Sequence, residues 1–263
     1  MADSGIPVTL LRRPGDPAGQ QQAEQAVAEV FGVIDEGMKS HPRSLQRMIG
    51  PSEIGIPCER ALLHKLAQTP EPPRKAGFKP QVGTWCHAGV ELLFGTPSRT
   101  AEGWLCEERL LVGRIGGKDV WGSCDLFKVG GLVNDWKFLA QSRLKKMKAD
   151  QYPGDQYRAQ AHLYGKGWED DGHHVEIVMI TFLPRDGELD DGYVWWEPYD
   201  RQVAVDALER ANSRLRLIET LGLEQAVALF PPCEDFWCQW CKAAKADESA
   251  RKMFKSKTNH EGA

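Results

Sequence analysis

The sequence has no apolar run of the roughly 20 residues that a membrane-spanning helix needs, so we do not expect a helical membrane protein. Its N-terminus lacks the apolar stretch of a secretory signal peptide, and no internal repeat points to a solenoid or propeller. A net charge of −4 gives no sign of a nucleic-acid binder, although a local basic groove around an acidic metal site remains compatible with one. We expect a cytoplasmic protein without a membrane partner.

The 263 residues, of which 41% are hydrophobic, suffice for one large domain or a domain with an appended lobe. Patterns follow one another as helices, strands, helix, strands, helix, which predicts a mixed α/β (α+β) core. We expect a flexible arm at 1–19, a helical segment with Cys58 at 20–82, the core at 83–222, and a cysteine cluster with a basic tail at 223–263.

A hairpin is predicted where two segments rich in β-formers, 119–128 and 131–138, are separated by paired glycines. Side chains alternate along a strand, so Asp135 and Lys137 share a face, and the hairpin brings Asp125 onto the neighbouring strand. Two carboxylates beside an ammonium group suit a divalent cation that prefers oxygen ligands. The alternative is an ordinary exposed hairpin with a charge pair.

Helices predicted on either side of this hairpin carry further polar pairs at a spacing of four. His87 and Glu91 share a face of the first helix, and both are metal-ligand types. Gln160 and Tyr164 share a face of the second helix, and with Arg158 they can bond phosphate and sugar oxygens. Taken singly, each pair is also typical of a solvated helix face.

Three clustered cysteines, Cys233, Cys238 and Cys241, indicate a shared metal centre. In a cytoplasmic protein they argue against disulfides. A closed site needs a fourth thiol, and Cys58, which follows a Gly-Ile-Pro turn, is free to reach it. The other cysteines lie beside predicted catalytic residues or in a predicted strand: Cys86, Cys124 and Cys106.

A basic segment follows the Asp-x-Lys strand and is placed to receive phosphates, or else is a solvated basic loop. Tryptophans flank the motifs and could stack bases of a single strand, although core packing is the commoner role. The basic residues are Arg143, Lys145, Lys146 and Lys148, and the tryptophans are Trp85, Trp121 and Trp136.

The order of these motifs resembles the PD-(D/E)XK nuclease superfamily, and most of all its RecB-like branch. The resemblance rests on a helical histidine, Gly122-x-x-Asp125, Asp135-x-Lys137 and Gln160-x-x-x-Tyr164, and it covers roughly residues 52–241. It implies a restriction-endonuclease-like nuclease core at 83–222, with a mixed central sheet flanked by helices.

The same resemblance implies roles for the site residues. His87, Asp125 and Asp135 would bind Mg²⁺ or Mn²⁺, with the Trp136 carbonyl facing the metal, and Lys137 would position or activate the attacking water. Glu91 would be a further acid near the metal, and Gln160 and Tyr164 would hold the DNA backbone.

For the cysteines, the resemblance to CRISPR-associated exonucleases and bacterial helicase–nucleases implies a [4Fe–4S] cluster. It would be held by Cys58, Cys233, Cys238 and Cys241, and would cross-link the N-terminal and C-terminal segments. The spacing Cys-x4-Cys-x2-Cys departs from the usual Cys-x2-Cys-x5-Cys of that branch, and Zn²⁺ is the rival metal.

The leading hypothesis is therefore a metal-dependent DNA exonuclease that acts on single-stranded ends in recombination, repair or phage DNA processing, with a possible helicase or recombination partner. A non-catalytic, cysteine-metal DNA-binding protein is the alternative from another class. An endonuclease, or a nuclease that trims CRISPR spacers, is the alternative among enzymes.

Overall fold

A computed structural model describes residues 17–40, 48–70, 78–235 and 238–242. The helices are α1 (Pro17–Ser40), α2 (Pro51–Ile54), α3 (Glu59–Leu66), α4 (Phe78–Phe94), α5 (Pro97–Ala101), α6 (Gln141–Asp150), α7 (Asp155–Asp170), α8 (Arg201–Leu221) and α9 (Leu223–Ala228). The strands are β1 (Trp104–Ile115), β2 (Lys118–Lys128), β3 (Leu132–Leu139), β4 (Ile177–Pro184) and β5 (Tyr193–Pro198).

Two predicted segments fall wholly or mostly outside the described residues. Of the expected arm at 1–19, only the last three residues are described, and they begin α1. The basic tail after residue 242 lies outside entirely. Helix α1 and residues 78–81 belong to one compact unit, and the strands with the other helices belong to a second.

The five strands form one mixed sheet in the order β1-β2-β3-β4-β5, flanked by helices, which confirms the predicted fold class. Strands β3 and β4 are parallel, and the other neighbouring strands are antiparallel. The parallel pair is joined by a crossover through α6 and α7, as a parallel connection requires. None of the helices in the described ranges is both long and apolar enough to cross a membrane.

Strands β2 and β3 form the hairpin that the paired glycines predict. The ladder pairs Leu126 with Asn134 and Lys128 with Leu132. Gly131 has a φ of +114°, and a Cβ there would lie 2.9 Å from the backbone nitrogen of Glu176. Because only glycine tolerates both conditions, the turn is fixed at this point of the sequence.

Helix α7 packs against the sheet so closely that small residues are needed at the contact. A Cβ on Gly167 would lie 3.0 Å from Cβ of Leu110. On β2, a Cβ on Gly122 would lie 2.5 Å from Cγ of Pro51 and 3.1 Å from the Tyr164 ring. The glycine of the Gly-x-x-Asp motif therefore serves packing, which fixes the position of the aspartate that follows.

Candidate active site

Asp125 lies where strand β2 stops pairing with β3. The last ladder pair is Leu126 with Asn134, and beyond it the backbone N–H of Trp136 donates to Oδ2 of Asp125 at 2.8 Å. The carboxylate thus replaces the next carbonyl of the ladder. With 4% of its surface exposed, Asp125 is a buried acid held in a fixed direction.

Helix α4 brings His87 to this carboxylate. Its ring packs edge-on against Phe138, and Phe94 at the end of the helix packs edge-on against Trp104. These contacts hold α4 against the sheet, so that Nδ1 of His87 lies 3.5 Å from Oδ2 of Asp125.

A third potential ligand joins them, and the sequence alone did not indicate it. Glu107 on β1 lies between the ladder pairs Cys106–Leu126 and Glu108–Cys124, and so stands opposite Asp125. One ligand atom each from His87, Glu107 and Asp125 lies within 4.8 Å of the others. One imidazole with two carboxylates is a donor set that suits Mg²⁺ or Mn²⁺.

Asp135, which the resemblance implies as a further metal ligand, contacts two neighbouring side chains. Its Oδ1 accepts a hydrogen bond of 2.8 Å from Nε2 of Gln160, and its Oδ2 forms an ion pair with Lys137. Nζ of Lys137 also lies 5.1 Å from the centre of the Tyr157 ring. The structure therefore brings Asp135, Lys137 and Gln160 together, next to the His87–Glu107–Asp125 group.

Burial and like charge make this pocket costly without a cation. Burial raises the pKa of Asp125 well above its ordinary value, and the negative charge of Asp135 raises it further. For Lys137, burial alone lowers the pKa, but attraction to Asp135 and Asp125 outweighs it and the pKa is raised. Burial followed by repulsion from Asp135 raises the pKa of Tyr164. A bound divalent cation would offset the desolvation of these carboxylates.

Other predicted site residues lie at the edge of this arrangement. Tyr164 is buried one turn after Gln160, and its ring lies against Gly122 of β2. Glu91 is exposed one turn after His87 and belongs to no metal-ligand group in the described part of the chain. Arg158, predicted to bind DNA, donates from Nε to Oε1 of Glu197 at 2.5 Å.

The predicted basic segment is helical rather than a loop. Helix α6 begins two residues after β3 ends, and buried Leu144 and Met147 hold it to the protein. Its exposed side chains include all four predicted phosphate contacts, Arg143, Lys145, Lys146 and Lys148.

The four predicted cysteines meet at one point. The sulfurs of Cys58, Cys233, Cys238 and Cys241 lie within 4.8 Å of one another. Cys58 is 3.5 Å from Cys241 and 3.7 Å from Cys238, measured between sulfurs. Four thiol groups so close together fit a thiophilic metal.

No protein-family model and no curated protein matches the chain. Among solved structures, an alkaline exonuclease (LHK-Exo) from Laribacter hongkongensis is similar with a TM-score of 0.48 and 12% identity, over 70% of this chain and 95% of that one. LHK-Exo in complex with dAMP gives a TM-score of 0.45, 14% identity and the same coverage. SSO0001 gives 0.44 and 15%, over 71% of this chain and 85% of that one.

Proposed function

We propose that the protein is a metal-dependent DNA nuclease of the PD-(D/E)XK superfamily, in its RecB-like branch. The observation that carries the proposal is the hard-cation donor set of His87, Glu107 and Asp125 beside the buried ion pair of Asp135 and Lys137. A solvated hairpin would leave these charges exposed, whereas Asp125 and Asp135 are 4% and 1% exposed. Burial of carboxylates that bind no ligand lowers the free energy of unfolding.

The residues divide the work of phosphodiester hydrolysis between them. Mg²⁺ or Mn²⁺ at the donor set would polarise the phosphate and acidify water. Lys137, held by Asp135, is placed to orient a water or to stabilise charge that develops on a phosphate oxygen. Gln160 holds Asp135 in turn, so that the ion pair keeps its direction.

The finer parts of the proposal concern the DNA. The exposed basic side chains of α6 begin within a few residues of Lys137 and are suited to phosphates. Together with the resemblance to end-processing nucleases, they support an exonuclease that acts on single-stranded ends. An endonuclease is the alternative that uses the same site.

The four-cysteine site would hold either a [4Fe–4S] cluster or one Zn²⁺. The resemblance favours the cluster. The sulfur separations of 3.5 and 3.7 Å favour zinc, because a tetrahedron with metal–sulfur bonds of about 2.3 Å has edges of about 3.8 Å. A cluster of eight atoms needs its thiolates farther apart. Iron, sulfide and zinc contents of the purified protein distinguish the two occupants.

The test compares hydrolysis of end-labelled single-stranded DNA by the wild type, Asp125→Asn and Lys137→Ala, with Mg²⁺ or Mn²⁺. We expect each variant to lose roughly a hundredfold or more in rate. Asp119→Asn, an exposed acid on the same strand that pairs with Arg114, is the matched control and should retain activity.

Two outcomes would contradict this assignment. Equal rates for the wild type and both variants would remove the site, and metal-independent DNA binding without cleavage would favour the non-catalytic alternative. Closed circular single-stranded DNA separates the two enzyme classes, since an exonuclease leaves it intact.

A further inference from the structure

An exposed arginine and an exposed tryptophan are stacked on the ribbon formed by β1 and β2. Cζ of Arg109 lies 5.6 Å from the centre of the Trp121 ring. The indole, the largest aromatic side chain, is 45% exposed. None of the interactions described for the active site uses either residue.

The two side chains point to the outer side of the ribbon. They alternate along their strands with Leu110, Val112 and Cys124, which are buried. Gly167 of α7 lies against the first two of these, so α7 occupies the inner side. Since neighbouring residues of a strand face opposite ways, the backbone itself directs Arg109 and Trp121 toward solvent.

Both residues lie close to the proposed cation site along their strands. Arg109 follows Glu107 by two residues on β1, and Trp121 precedes Asp125 by four residues on β2. At about 3.3 Å of rise per residue, these intervals are about 7 and 13 Å. They are comparable to one and two nucleotides of an extended single strand.

The charge of Arg109 is available to a ligand. Within the described ranges, no carboxylate forms an ion pair with Arg109, whereas Arg114 on the same strand pairs with Asp119 at 2.7 Å. A guanidinium group stacked on an indole keeps its edge for hydrogen bonds, and that edge matches the geometry of a phosphate.

We propose that Arg109 and Trp121 bind the DNA strand one or two nucleotides from the bond to be cleaved, Trp121 by stacking on a base and Arg109 by binding a phosphate. The inference rests on the proposed nuclease function. It also deepens it, because an indole can stack only on a base whose face is exposed. The pair would therefore make the site selective for single-stranded DNA over duplex.

The experiment measures the Kd of the full chain for a fluorescent single-stranded oligonucleotide and for a blunt-ended duplex of the same sequence, with Ca²⁺ in place of Mg²⁺. We expect Trp121→Ala to weaken single-strand binding by about five- to hundredfold, the range for one base–aromatic stack, and to leave duplex binding nearly unchanged. Trp121→Phe should restore most of the loss.

Matched controls exist for both residues. Trp196 is 60% exposed on β5, at the opposite edge of the sheet, so Trp196→Ala should bind as the wild type does. Arg114→Ala is the control for Arg109→Ala, which should weaken single-strand binding and reduce its dependence on salt. Unfolding temperatures of all variants show whether each one is folded.

The outcomes separate this inference from the proposal beneath it. Single-strand cleavage by the wild type, with unchanged binding by folded Trp121→Ala and Arg109→Ala, overturns the inference alone. An equal loss for single strand and duplex contradicts the selectivity. A wild type that neither binds nor cleaves DNA contradicts the nuclease function, and this inference falls with it.

Discussion

Glu107 has a backbone conformation that strands disfavour. Its φ is +56°, in the left-handed region, although the residue lies inside β1 and is not a glycine. Such a conformation costs on the order of 1–3 kcal/mol and persists where the surroundings impose it. The neighbouring ladder pairs keep their register, so the distortion is confined to the position opposite Asp125. The strained residue is therefore the one whose carboxylate lies beside His87 and Asp125.

Because of this strain, we expect a substitution of Glu107 to affect stability and activity differently. Glycine adopts a φ of +56° without penalty, so Glu107→Gly should keep or raise the free energy of unfolding while it abolishes most metal-dependent hydrolysis. Glu108→Gly, at the next position of the same strand, should lower the free energy of unfolding by roughly 0.5–1 kcal/mol. Urea unfolding of both variants checks this. Equal destabilisation by the two substitutions would show that the Glu107 backbone is not strained.

Glu107 also shows why the full site could not be predicted from the sequence. Asp125, Asp135 and Lys137 belong to a local hairpin, whose turn glycines are visible in the sequence. Glu107 stands in the run Cys106-Glu-Glu-Arg109, where nothing marks one glutamate as different from the next. Its place opposite Asp125 depends on the pairing of β1 with β2, and its left-handed φ has no signal in the residue type.

Helix α7 connects the site to the far edge of the sheet. Gln160 donates a hydrogen bond to Asp135 on β3. Arg158 and His162, on either side of it in the same helix, both bond Glu197 on β5. The helix itself is predicted from the sequence, with Gln160 and Tyr164 on one of its faces. Its partners are not, because the parallel pairing of β3 with β4 places β5 beyond them without any local marker.

His162 makes this connection sensitive to pH. The backbone N–H of Asp200 donates to Nδ1, so Nε2 carries the proton and donates to Glu197. Burial lowers the pKa of His162 despite the nearby Glu197 carboxylate. The unfolded chain thus binds the proton more readily than the folded one. The free energy of unfolding should be greatest above the ordinary imidazole pKa of about 6.5 and fall as the pH drops below it.

Replacing the imidazole tests this expectation. His162→Asn keeps an acceptor near the Nδ1 position and cannot be protonated. It should be less stable than the wild type at neutral pH, yet lose less free energy of unfolding between pH 7 and pH 5. Urea unfolding at both pH values is the measurement. The same substitution at His173, which is partly exposed, is the control. An unchanged pH dependence in His162→Asn would contradict the assignment.

For the molecule as a whole, the four cysteines tie together segments that are far apart in the sequence. Cys58 and Cys241 are 183 residues apart, and their sulfurs are 3.5 Å apart. The segment around Cys58 is held independently by α8, where Arg214 pairs with Glu59 at 2.7 Å and Arg210 bonds the carbonyl of Ile56. A metal at the cysteines would thus fasten the segment that carries Cys233, Cys238 and Cys241 to a segment already docked on the core.

Loss of that metal should therefore cost stability without removing the chemistry. Cys241→Ser should lower the metal content of the purified protein and reduce the free energy of unfolding on the order of 3–5 kcal/mol, the scale for a cross-link that closes a long loop. Below its unfolding temperature the variant should still hydrolyse DNA, because none of the cysteine ligands belongs to the His87–Glu107–Asp125 group. Cys106→Ser, outside the four-cysteine site, should keep both metal and stability. A folded variant that kept its full metal content would show that Cys241 is not needed to hold the metal. If the variant were folded, metal-free and inactive, the cysteine site would act on the catalytic residues, and its role would extend beyond holding the chain together.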